Sequence, residues 1–304
     1  MQKNLNNLYL KSFIRCKRKA WLDYQGNKSQ RIWSPHQSIE IIKRYQTFYK
    51  LSDGDLYSGE KACKRGSSGV IGLKARSKVI NNINTEMQPQ LLKKVGGHSK
   101  WGEYKYIPVV YKLGHRTTKE HLFDLAFSSI LLEPFQEAKI EKGLVISNFS
   151  NRINIEKIDL NPGLRKKVMH TFLNLNEYLK RSIPDITEDR KKCTICSWQK
   201  FCDTEAKDNG YLTDIDGIGS KTALFLQKNG ISNIKELAAT KKIDLGKKLF
   251  QFKEQRFEKA SKFIKQSKAY LSGIPIQILE NKNLSYLLIN KDSGFFIFDI
   301  ESNP

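Results

Sequence analysis

The chain has 304 residues, with 53 Lys+Arg against 31 Asp+Glu and a formal charge of +22. An excess of that size repels itself in a compact state and calls for a polyanionic partner, nucleic acid above all, even though the abundant Asn and Ile suggest an AT-rich coding sequence that supplies part of the lysine. No secretory h-region and no apolar run of bilayer length is present, which excludes a membrane span and points to a soluble, reducing, cytoplasmic setting. From the N-terminus, Cys16 sits in the basic, aromatic segment FIRCKRKAW. Residues 36–50 carry Ile39, Ile42, Tyr45 or Gln46, and Tyr49 at helical spacing, which predicts an amphipathic helix. Residues 69–83 and 104–112 read as strands. Residues 117–134 read as a helix capped by Thr117 or Thr118, with Leu122, Leu125, Ala126, Ser129 and Leu132 on one face and Pro134 as its end. A buried strand at 143–147, a hairpin partner at 153–160 and a helix at 163–181 follow. The stretch 211–240 reads as two short helices around a glycine turn, with a second glycine-marked turn after them. A lysine-rich stretch at 241–268 precedes a final pair of strands joined by KDSG.

Chemistry concentrates at two places. CTICSWQKFC sets Cys193, Cys196 and Cys202 in a C-x2-C-x5-C arrangement, and Cys16 can supply a fourth thiolate. A reducing compartment favours metal over disulfide; four thiolates suit zinc or an iron–sulfur cluster, and spacing does not decide between them. Cys63 reads as an ordinary buried thiol. The second place is DGIGSK, Asp216 to Lys221. Here Gly217 and Gly219 allow close backbone approach, Ser220 opens a helix whose N–H groups face a phosphate, and Lys221 adds charge. With GISNIKELA downstream, the segment closely resembles a helix-hairpin-helix domain, a motif that holds the nucleic-acid backbone without reading sequence.

Taken together, the cysteine order and this hairpin resemble RecB-type nucleases of the PD-(D/E)XK superfamily, in the branch with one cysteine before the nuclease core and three after it. In a bacterial group of that branch a helix-hairpin-helix and a ribonuclease H-like exonuclease domain follow. The resemblance implies a 4Fe–4S cluster on Cys16, Cys193, Cys196 and Cys202, with zinc as the alternative. It implies an α/β fold: a restriction-endonuclease-like mixed sheet flanked by helices, then an all-α region and a terminal β-hairpin. The expected domains are 1–205 for the clasped nuclease fold, 206–272 for the hairpin region and 273–304 for the first hairpin of an incomplete exonuclease domain.

The catalytic pattern departs from that family. Such sites need an acid on one strand and an Asp or Glu two residues before a Lys on the next, to hold Mg²⁺ or Mn²⁺. IPVVYK places Lys112 correctly but puts Val110 where the acid belongs, and GLKARSKV offers Ser77 and no carboxylate. On the following helix Asp124 and Ser128 stand where Gln and Tyr are expected. Glu120 and Asp124, one turn apart, are a conceivable substitute pair, although a solvated helix face explains them equally well. Asp299 and Glu301 in FFIFDIESNP share one strand face, as at the start of a DnaQ-like two-metal site whose other acids do not follow before Pro304. The expectation is a fragment of a longer polypeptide or a truncated product. Two functions remain in play: a RecB-like DNA-processing nuclease, and a non-catalytic DNA-binding scaffold. A redox or zinc protein is the third reading.

Overall fold

A computed structural model describes residues 3–33, 35–149, 152–186, 190–253 and 257–276. The chain divides into two compact units, Met1–Asp185 and Ile186–Pro304. The boundary falls before the cysteine segment, so Cys16 belongs to the first unit and Cys193, Cys196 and Cys202 to the second. The expected hairpin with Asp299 and Glu301 lies outside the described residues.

The first unit is mixed α/β, with sheets flanked by helices. In chain order it contains β1 (Leu5–Asn6), α1 (Asn7–Arg15), α2 (Lys17–Gln25), α3 (Pro35–Leu51), β2 (Leu56–Ser58), α4 (Gly59–Arg65), β3 (Gly69–Ile71), β4 (Ala75–Ser77) and β5 (Thr85–Met87). Then come β6 (Leu91–Ser99), β7 (Gly102–Tyr111), α5 (Lys119–Gln136), β8 (Lys142–Phe149), β9 (Arg152–Asp159) and α6 (Pro162–Leu179). The main sheet has the order β2-β3-β6-β7-β8-β9, and a small sheet has the order β1-β5-β4. β7 and β8 run parallel, so the chain must cross over between them, and α5 is that crossover. Helix α5 is buried almost all round, at Phe123, Asp124, Leu125, Ala126, Phe127, Ser128, Leu131 and Leu132, because it lies between the sheet and helices α1 and α6. Val110 and Val145 join that core, whereas Val109, Tyr111 and Ile146 form a second one with Phe48 of α3. Successive residues of β7 thus supply opposite faces of the sheet.

Three expectations change, and one strand is new. Residues 69–83 are not one strand: Gly72 turns the chain at φ +63°, Asn81 and Asn82 also take positive φ, and the pieces β3 and β4 pair in different sheets. The strand β6 went unread because LLKKVGGHS, with two lysines and two glycines, lacks alternation. Pro134 does not end α5, which continues to Gln136 and stops at Glu137 in the left-handed region; so near the end, a proline removes a single helix bond. Helix α3 forms as expected but faces the other way: Thr47 and Phe48 are buried, while Ile42, Tyr45 and Tyr49 are more than half exposed.

The second unit is all helical among its described residues. It contains α7 (Gln199–Asn209), α8 (Ser220–Lys228), α9 (Ile234–Ala239), α10 (Lys242–Phe252) and α11 (Lys259–Ser272). Its core gathers Ile215, Ile218, Leu226, Ile231, Ile234, Leu237, Leu245, Leu249 and Phe263. Gly217 at φ +87° and Gly230 at φ +80° make the two turns the glycines announce.

Candidate functional site

Lys112 follows β7 directly and is buried. Its backbone N–H donates to the Ile146 carbonyl at 2.8 Å, which extends the β7–β8 ladder by one residue. Its ammonium group donates to the His115 carbonyl at 2.9 Å, to Thr117 Oγ1 at 3.2 Å, and to the Glu156 carboxylate. Thr117 Oγ1 donates in turn to the other Glu156 oxygen at 2.5 Å. Lys112 and Thr117 together hold the Glu156 carboxyl below its ordinary value, chiefly through these hydrogen bonds. Glu156 reaches this place through register. Val110 pairs with Val145, and Val145 pairs with Glu156, so the three stand in one row across β7, β8 and β9. The sequence reading missed Glu156, because an acid in a hairpin strand carries no local sign of what it faces.

The strand on the other side of β7 is β6, not the strand containing Ser77, which pairs within the small sheet. The residue entering β6 is Gln90, and its Oε1 accepts the Tyr111 N–H at 3.0 Å. Beside Lys112, these two strands present the amide of Gln90 and the methyls of Val110. The buried acid in the neighbourhood is Asp124 of α5, fully enclosed rather than on a solvated face. It accepts from Asn7 Nδ2 at 2.7 Å and from Gln90 Nε2 at 3.5 Å, and Lys11 Nζ lies 3.3 Å away. Each acid here therefore has a lysine: Lys11 for Asp124, Lys112 for Glu156. Each carboxylate's charge is thus balanced by an ammonium group. Glu120 is half-buried on the same helix.

His121 sits between the two pairs. Its Nδ1 accepts the Thr118 N–H at 3.1 Å, closing the first turn of α5. Burial, with Lys11 and Lys112 adding repulsion, takes its pKa from the ordinary 6.5 to about 4. Between those values the unfolded chain holds a proton that the folded chain lacks, so stability rises with pH across that window. Denaturant midpoints should therefore be flat above pH 6.5 and fall as pH drops toward 4, and His121→Asn should flatten that fall. An unchanged slope in the variant would remove His121 from the linkage.

The cysteines differ sharply from one another. Cys63 is buried, and burial pushes its thiol up to about 12, with Glu60 adding to the rise. Cys16, Cys193, Cys196 and Cys202 are partly exposed. Cys16 caps α2, its Sγ accepting the Lys19 N–H at 3.5 Å. In the second unit the Cys196 N–H donates to the Cys193 carbonyl at 2.9 Å and the Cys202 N–H to the Trp198 carbonyl at 3.0 Å. A tight turn thus carries the first two cysteines and leads through buried Trp198 into α7, which carries the third. Arg190 ties this segment to the hairpin region, pairing with Asp203 of α7 and reaching Asp214 at 3.3 Å, to which Tyr270 Oη also donates at 3.3 Å. Among the described residues, no group of three or more His, Cys, Asp or Glu side chains is gathered for a metal ion.

At the glycine turn, Gly219 is the N-cap of α8, Ser220 its first residue and Lys221 its second. A Cβ built on Gly219 meets nothing within 4 Å, so the helix start is open. A Cβ on Gly217 would lie 3.2 Å from the Phe263 ring, in addition to the strain of its positive φ. Asp216 is exposed beside this turn, and Lys262 Nζ at 3.0 Å holds its carboxyl below the ordinary range. The lysine offsets the one negative charge at an otherwise anion-favouring helix end.

No protein-family model matches the sequence, and a search of curated proteins finds no match either. Among solved structures the chain is similar to the crystal structure of SSO0001, at 11% identity over 67% of this chain and 87% of that one, with a TM-score of 0.44. No helix among the described residues is long and apolar enough to cross a membrane.

Proposed function

We propose that the chain is a DNA-binding protein on a RecB-like nuclease fold, clasped by a 4Fe–4S cluster and without nuclease activity in its first 185 residues. The observation that carries the catalytic half is the group Gln90, Val110 and Lys112 at the end of β7. The lysine is in position, both neighbouring acid positions are neutral, and the nearby carboxylates of Asp124 and Glu156 are already paired with lysines. The DNA-binding half rests on the net charge of +22 and on the open start of α8 behind Gly217 and Gly219. The cluster assignment rests on the sequence resemblance together with donor chemistry. Cys16, Cys193, Cys196 and Cys202 are the partly exposed thiols, and the inert Cys63 is the one left out. When bound, such a cluster would link distant parts of the chain; zinc would serve the same four ligands.

One experiment tests binding and catalysis together. A labelled duplex is titrated with the protein at several salt concentrations, and the same mixtures are assayed for cleavage with Mg²⁺ or Mn²⁺. The expected result is sequence-insensitive binding whose log affinity falls steeply with log salt, and no metal-dependent cleavage. Gly219→Val, whose side chain meets nothing in the fold, should weaken binding, because the backbone can no longer approach a phosphate. Affinity indifferent to salt would overturn the binding reading. Robust cleavage that Lys112→Ala abolishes would overturn the catalytic one.

A further inference from the structure

The segment with Cys193, Cys196 and Cys202 is closed along its backbone but leaves two side-chain donors idle. The Arg190 carbonyl accepts the Cys193 N–H at 2.8 Å, and the Cys193 carbonyl accepts the Cys196 N–H at 2.9 Å. The Cys196 carbonyl accepts the Gln199 N–H at 3.0 Å. Gln199, its amide turned as its neighbours require, also donates to the Cys193 and Thr194 carbonyls at 3.3 and 3.0 Å. Ser197 lies inside this run of turns. It is 5% exposed, and its Oγ has no hydrogen-bond partner among the described residues. Arg190 Nε is likewise buried without a partner. The two terminal nitrogens of that guanidinium reach Asp203 and Asp214, so the fork is held while its inner N–H donates to nothing. Asp203 follows Cys202 directly. Arg190 therefore bridges the first and third cysteines of the segment, through its carbonyl at Cys193 and its fork beside Cys202.

A buried donor left unmade is expensive, and native structures hold few of them. The guanidinium has no acceptor capacity and keeps its protons, so only an acceptor can satisfy its Nε–H. What two idle donors among three cysteines lack is therefore an acceptor. A metal-bound cysteine is a thiolate, whose sulfur accepts and carries no proton of its own. A trapped water is the other acceptor of suitable size, and it would be present whether or not the thiols hold a metal.

We propose that Arg190 Nε–H and Ser197 Oγ–H are the outer hydrogen-bond donors of the metal centre, each satisfied by a sulfur of Cys193, Cys196 or Cys202 once metal is bound. The assignment rests on the cysteine-ligand reading above and adds to it two residues outside the ligand set. Both are positioning residues: they orient the thiolates and draw charge off the sulfurs. With an iron–sulfur cluster, donors of this kind favour the reduced form, because reduction adds negative charge. With zinc they strengthen retention of the ion by the same thiolates.

The test uses the full chain, loaded with metal and again after a chelator has removed it. Ser197→Ala deletes an idle hydroxyl from the empty protein and a hydrogen bond from the loaded one. Its thermal midpoint should therefore match or exceed the parent's without metal and fall below it with metal. Metal affinity, read by competition with a chelator, should drop roughly ten- to a hundredfold in Ser197→Ala. Ser197→Thr, which keeps the hydroxyl, should restore it. Arg190→Lys keeps a cation for Asp203 and Asp214 but removes the Nε–H, and should loosen the metal to a similar degree. If the metal is an iron–sulfur cluster, reduction should become roughly tenfold less favourable in Ser197→Ala and Arg190→Lys, a fall of about 59 mV for one electron. A Ser197→Ala midpoint lowered equally with and without metal would give the hydroxyl to a trapped water and overturn the proposal. Metal affinity equal to the parent's in both variants would also overturn it, while leaving the four ligands in place. A parent protein that takes up neither iron nor zinc would overturn the ligand reading and this proposal together.

Discussion

Asp124→Ala should destabilise the first unit by about 3 kcal/mol, the low end of the range for removing one partner of a buried ion pair. The carboxylate is fully enclosed, while Lys11, its cationic partner, is 24% exposed and can turn partly toward water, which keeps the loss from being larger. Asn7 would retain its Gln88 carbonyl at 2.9 Å but lose the 2.7 Å bond to the acid. A loss of that size should lower the thermal midpoint of this unit by roughly 6–12 °C. Asp124→Asn keeps an acceptor for Asn7 and should cost less. The sign of the effect decides between two roles. An acid kept in place to bind a metal is commonly a strain on the fold, so its removal stabilises. An acid already balanced by a lysine holds α1 against α5, and its removal must destabilise. A midpoint within experimental error of the parent, or above it, would return Asp124 to the list of candidate metal ligands.

Protein purified without oxygen should be brown and carry about four irons per chain, with the thiolate-to-iron charge-transfer absorption of a 4Fe–4S cluster. Substituting Cys16, Cys193, Cys196 or Cys202 with Ser should abolish the colour and destabilise the protein, since metal–thiolate binding in structural sites contributes on the order of 10 kcal/mol to folding. Cys63→Ser should leave the iron content unchanged, because that thiol is buried with its pKa near 12. Stoichiometric zinc without iron would keep the ligands and change the metal. Full iron content in a Cys16→Ser protein would remove Cys16 from the set.

What could be read from the sequence follows the range over which each signal acts. The strand around IPVVYK, the hairpin at 143–160, the helix after it and the two glycine turns are all local patterns, and each forms in the structure. The candidate site is not local. Gln90 stands beside Tyr111 because β6 lies next to β7, and Glu156 meets Lys112 because two ladder registers align across three strands. Neither relation has a trace in the flanking residues. Helix α3 is a different kind of miss. Its periodicity was legible, but periodicity marks an apolar face without saying whether core or partner will cover it. Asp124 reads as a surface acid by type, and only the sandwiching of α5 between sheet and helices encloses it.

Cys63 offers the molecule a built-in clock. An enclosed sulfhydryl that stays protonated at neutral pH cannot react with an alkylating agent until the surrounding structure opens. Around it lie Tyr106, whose hydroxyl bonds to the Ser67 carbonyl at 2.8 Å, and Tyr104, whose hydroxyl bonds to the carbonyl of Cys63 itself at 2.8 Å. Trapping therefore proceeds through the opening of α4 and its neighbouring strands, and at low reagent concentration its rate, referred to an unfolded peptide, measures the free energy of that opening. Partly exposed sulfurs elsewhere in the chain would label without delay when free of metal. A single time course thus separates loss of ligation from loss of the fold, a distinction that a bulk melting curve merges into one transition.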